Sequence, residues 1–113
     1  MIIALVLFAV AAVGGLVLAL QRFSGKPLPS LPLAIVHGVA AAAGLIALIV
    51  FVVNGSGPAG ARTALVLFLL AASGGFFLFT RHMRQTVLPI PVMVLHAVLA
   101  VAGFVTLLLA ALH

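Results

Sequence analysis

Long apolar runs alternate with short polar breaks along this chain. The runs cover residues 2–20, 33–53, 64–80 and 92–112, and the breaks fall at residues 21–30, 54–58 and 81–89. Each run matches the roughly 20 residues that a helix needs to cross a hydrocarbon core. Inside lipid every backbone N–H and C=O must be paired within its own segment, so the runs predict transmembrane helices. Asn54-Gly55 is a stop or turn signal, and Pro32, Pro58 and Pro91 suit the first turn of a helix. The connections are short, so sequence neighbours should pack antiparallel. The expected fold class is all-α: a polytopic membrane four-helix bundle, one transmembrane domain over residues 1–113.

The pattern repeats. Ala4-Leu5-Val6-Leu7-Phe8 returns as Ala64-Leu65-Val66-Leu67-Phe68, and Gly14-Gly15 as Gly74-Gly75, both at an offset of 60. A one-residue deletion in the loop shifts the offset to 59, after which Pro32 matches Pro91, His37 matches His96 and Gly44 matches Gly103. The chain therefore reads as two tandem helical hairpins, residues 1–57 and 58–113. Each copy holds two spans, so the copies share one topology and form a parallel repeat about an axis along the membrane normal. Helices 2 and 4 run the same way, which places His37 and His96 at one depth.

Composition removes whole classes of function. Hydrophobic residues make up 67% of the chain and charged residues 4%, and the mean hydropathy is +1.58. Soluble domains carry about 25% charged residues, and disorder needs low hydrophobicity. Without Asp or Glu there is no paired-carboxylate catalysis and no carboxylate di-iron site. Without Cys there is no disulfide, thiolate metal site or covalent haem attachment. The net charge of +5 comes from a few cations beside apolar spans, which argues against nucleic acid as a partner. Arg22, Lys26, Arg81 and Arg84 lie in the first and third breaks, against Arg62 alone on the other side. This bias predicts loops 21–31 and 81–91 in the cytoplasm, both termini outside, and a bacterial inner-membrane location. Met1-Ile2-Ile3 lacks the positive charge of a signal peptide, and the first span has a later counterpart, so it reads as structure.

Candidate chemistry centres on the histidines. His37 and His96 follow Pro32 and Pro91 by five residues, roughly 8 Å into their helices and inside the hydrocarbon region. Gly15 and Gly75 precede Gln21 and Arg81 by six, about 9 Å from the same face. Ionisable residues at such depth are functional candidates by default. In a bundle built in chain order, helices 2 and 4 are diagonal, roughly 11–14 Å apart. Two imidazoles reaching inward leave room for one metal, and a haem iron with two axial histidines suits that gap. On this reading His37 and His96 are the metal ligands. Gly14, Gly15, Gly74 and Gly75 make room for the macrocycle edges. Ala41, Gly44, Ala100 and Gly103 form small-residue stripes on the ligand faces, and Arg22 and Arg81 meet the anionic propionates, with Lys26 and Arg84 as looser contacts.

Plainer readings stand beside this one. Small residues in membrane helices commonly serve helix packing, terminal Arg and Lys anchor topology and headgroups, and a lone membrane histidine is often a hydrogen-bonding group. His82 and His113 read as interfacial, and Met83 and Met93 as apolar packing. Zinc wants four ligands and non-haem iron a carboxylate. Ser73 and Thr106 lack an acid–base partner for hydrolysis.

In architecture the chain resembles the four-helix b-type membrane cytochromes, which hold haem between transmembrane helices with paired histidines and exchange electrons with quinone or a partner subunit. The resemblance implies one bis-histidine haem b between His37 and His96. It implies electron transfer in a membrane redox chain, as a subunit rather than a stand-alone enzyme. The implied partners are the lipid bilayer, other subunits of a redox complex or further copies of the chain, and quinone. The alternatives are a non-redox accessory subunit of a larger membrane complex, for which the absence of interfacial Trp and Tyr speaks, and a small transporter or channel. Small multidrug transporters share the length and helix number, but their intramembrane Glu is missing here.

Overall fold

The computed structural model describes residues 1–55 and 57–113 and is all-helical in its regular structure. Its helices are α1 (Ile2–Phe23), α2 (Leu31–Val53), α3 (Ala59–Met83) and α4 (Ile90–Leu112). All four are long and apolar enough to cross a membrane. The bundle measures 43 × 19 × 18 Å, and its long axis matches the roughly 40–45 Å of a bilayer with its headgroup regions.

The helix ends follow local chemistry. Pro32 and Pro91 occupy the first turns of α2 and α4, where the missing N–H costs nothing. Ser30, the residue absent from the second repeat, caps α2 by accepting the Leu33 N–H; α4 starts from Pro89 without a side-chain cap. Pro58 stands at the N-cap of α3 rather than in its first turn. Helix α3 also begins before the apolar run at residue 64 and continues past residue 80. Its added first turn buries Ala61 while Arg62 extends outward, and its last turn buries His82. Burial of one face extends a helix where hydropathy alone would end it. Of the second break, Ser56 lies outside the described residues.

Helix α1 packs on α2 and α3 on α4, with lesser contacts between α1 and α4 and between α2 and α3. The helices thus form a square in chain order, two tandem hairpins side by side, with α1–α3 and α2–α4 as diagonals. The core obeys the repeat. Ala4, Phe8 and Ala11 are buried, and so are Ala64, Phe68 and Ala71; Gly44 and Leu48 are matched by Gly103 and Leu107. Phe8 and Phe68 stack face to face across one diagonal, ring centres 3.8 Å apart and 4° from parallel. A Cβ on Gly44 would lie 3.2 Å from the Phe8 ring, and one on Gly103 3.2 Å from Phe68. The outward faces carry exposed Val6, Val13, Leu16, Val39, Ile46, Phe76 and Val101, an apolar exterior suited to lipid.

Candidate functional site

His37 and His96 follow the Pro-started first turns of α2 and α4 and reach towards each other across the second diagonal. Their ring centres are 6.2 Å apart and the ring planes 87° from parallel. Both are half-buried. His37 Nδ1 lies 2.6 Å from the Ala11 carbonyl oxygen of α1, and His96 Nδ1 lies 2.7 Å from that of Ala71 in α3. A carbonyl only accepts, so each Nδ1 carries the proton and donates. In the neutral imidazole this fixes the tautomer, leaving the Nε2 lone pair free. Neither Nε2 has a hydrogen-bond partner among the described residues.

The glycine pairs explain how these bonds form. The Ala11 carbonyl lies one helical turn before Gly15, where a side chain would cover it. A Cβ on Gly15 would lie 2.9 Å from His37 Cε1, and one on Gly75 2.9 Å from His96 Cε1. A Cβ on Gly14 or on Gly74 would instead meet the histidine Cβ at an ordinary 3.5 Å. The imidazole rings are therefore seated on Gly15 and Gly75, and Gly14 and Gly74 face the histidine Cβ atoms. The expectation that these glycines line macrocycle edges rested on depth alone; here the space their missing side chains leave is occupied by histidine.

The small-residue stripes are also placed. Gly44 and Gly103 are buried against the phenylalanine rings, and Ala41 and Ala100 are half-buried beside them. Gly44 lies seven residues beyond His37, about 10 Å along the helix. Histidines thus bridge one diagonal at one level, and phenylalanines bridge the other diagonal at the next.

At the loop end, Arg22 Nε donates to the Leu88 carbonyl at 3.0 Å and so crosses from the first hairpin to the second. The Leu88 N–H donates to the Pro27 carbonyl, joining the two loops again. Arg81 donates through Nη2 to Val87 O at 2.9 Å, while its Nε is buried without a partner. Lys26 and Arg84 are exposed. His82 is buried in the last turn of α3, at the position where the first repeat has Arg22. Met93 is buried with Leu78 and Leu88, as apolar packing requires.

Among the described residues no three His, Cys, Asp or Glu side chains gather as a metal site. The acceptor carbonyls of Ala11 and Ala71 and the phenylalanine stack carried no chemical label in the sequence. The stack was nonetheless present as the repeated Phe8 and Phe68, and each carbonyl as the residue one turn before a repeated glycine. No family model, no curated protein and no solved structure matches this chain.

Proposed function

We propose that the protein is a small membrane b-type cytochrome or cytochrome subunit, in which His37 and His96 ligate one haem for electron transfer. The observation that carries this reading is the pair of Nδ1–carbonyl bonds with two free Nε2 lone pairs on facing helices. Metal-ligating histidines characteristically donate their other ring N–H to a carbonyl or carboxylate, which fixes ring orientation and raises ligand basicity. The two ring centres lie 6.2 Å apart on facing helices, so the same metal could be held by both imidazoles.

On this reading His37 and His96 would hold the iron of a haem. Bound haem would supply one-electron redox chemistry. The chain's own residues do the rest. Ala11 and Ala71 hold the imidazole tautomers, and Gly15 and Gly75 let the rings approach. The apolar helices keep bulk water away. Arg22 and Arg81, in a chain without acidic residues, place positive charge at the loop end, where it favours anionic propionates.

Iron and haem content of the purified chain, made with haem precursor supplied, tests the reading. One haem per chain is expected, falling below about a tenth of that in His37→Ala and in His96→Ala, each of which removes an axial ligand. Full haem retention in both variants would refute the ligand assignment. A folded chain that takes up no haem would leave the histidines as clamps within each hairpin, as in a non-redox accessory subunit.

A further inference from the structure

The last turn of α3 holds a second polar feature, independent of the histidine pair. His82 is only 8 % exposed. Unlike His37 and His96, it has no side-chain hydrogen bond among the described residues. It lines a groove of about 250 Å³ with Leu28, Leu31, Met83 and Gln85, between the first loop, the start of α2 and the end of α3. The repeat makes the contrast plain. At the equivalent position Arg22 satisfies its Nε on Leu88 O, whereas His82 is left without a partner. The His82 ring nitrogens are not among the buried atoms without a partner, so they open onto the groove, where a ligand with hydrogen-bonding groups can reach them.

Charge and place select that ligand. The groove is at the bundle end that carries Arg22, Lys26, Arg81 and Arg84, and the chain has no Asp or Glu to neutralise them. Arg81, the residue before His82, has a buried Nε without a partner but does not line the groove. Basic pockets at this depth, beside transmembrane helices, suit anionic headgroups. The volume is below the roughly 300–1,000 Å³ of sites that engulf a whole small molecule, and three of the five lining side chains are apolar.

We propose that this groove binds the phosphodiester headgroup of one anionic phospholipid. His82 and Gln85 donate to the phosphate oxygens, and Leu28, Leu31 and Met83 contact the glycerol and first acyl methylenes.

Native mass spectrometry of the full chain, released from micelles holding equal phosphatidylglycerol and phosphatidylcholine, tests this. One phosphatidylglycerol per chain should be retained in preference to phosphatidylcholine. His82→Leu and Gln85→Leu should each lower retention about tenfold, the loss of a charge-assisted hydrogen bond, and Arg62→Gln at the far end should leave it unchanged. Gln85 is exposed, so its variant decides the matter even if His82→Leu does not fold. Equal retention of both lipids would overturn the proposal. So would retention unaffected by either groove variant, equally tight binding of inorganic phosphate alone, or displacement of the lipid by a neutral benzoquinone.

Discussion

A Cβ on Gly15 would lie 2.9 Å from His37 Cε1, whereas one on Gly14 would come no nearer to His37 than 3.5 Å, at its Cβ, an ordinary contact. The two neighbours should therefore respond oppositely to the same change. Gly14→Ala gains up to about 1 kcal/mol of helix propensity without a clash. Gly15→Ala gains the same propensity but displaces the imidazole, losing the Nδ1–carbonyl bond, and should be destabilising by about 1–2 kcal/mol net. Reversible denaturant titration in detergent, followed by circular dichroism, checks the pair; equal effects at both positions would count against the ring-seating role of Gly15. The same contrast is expected between Gly74 and Gly75, since the histidine contacts repeat there. The sequence exposed the depth of these residues through their distance from helix ends. It did not expose their azimuth, and azimuth decided that the glycines hold histidine rings and that Gly44 and Gly103 hold phenylalanines.

Helix α1 ends before Gly25, whose φ is +107°, and α3 ends before Gln85, whose φ is +55°. The second repeat thus places a side chain in a left-handed conformation at the position where the first has glycine. Gln85→Gly should stabilise the fold by about 1 kcal/mol, because the left-handed penalty falls on Cβ, and Gly25→Ala should destabilise it by a similar or larger amount. Thermal unfolding of both variants measures this; a loss of stability in Gln85→Gly would show that the side chain's contacts outweigh its backbone strain. At this scale much was legible beforehand. The four apolar runs, the prolines of α2 and α4 and the antiparallel hairpins follow from lipid exclusion of unpaired backbone. The long α3 was less so, because its added turns contain Arg62, Arg81 and His82. A hydropathy criterion stops at such residues, although a helix continues wherever its inner face, here Ala61 and His82, is buried.

The whole molecule is two copies of one hairpin, and its pseudo-twofold axis places each diagonal contact between equivalent residues: His37 with His96 and Phe8 with Phe68. The repeat in the sequence made that symmetry visible, since the identical offsets carry histidine, glycine and phenylalanine together. Pairing across the diagonals additionally required the square arrangement of helices. Topology is testable because the chain has no native cysteine. With four cations on one side and Arg62 on the other, the positive-inside bias predicts that the Lys26 loop faces the cytoplasm. A membrane-impermeant maleimide applied to intact cells should label Asn54→Cys and spare Lys26→Cys until the membrane is opened; the reverse pattern would invert the assigned orientation.

If the facing, backbone-anchored imidazoles of His37 and His96 ligate a haem iron, the reduced-minus-oxidised absorption spectrum will show it. The chain contains neither Trp nor Tyr, so its own absorbance near the aromatic band is slight and a bound chromophore dominates. Protein purified in detergent after expression with haem precursor should give a low-spin b-type spectrum that sharpens on reduction, lost in His37→Ala and in His96→Ala while the helical circular dichroism persists. A colourless, fully helical wild-type protein, or an unchanged low-spin spectrum in both variants, would contradict it.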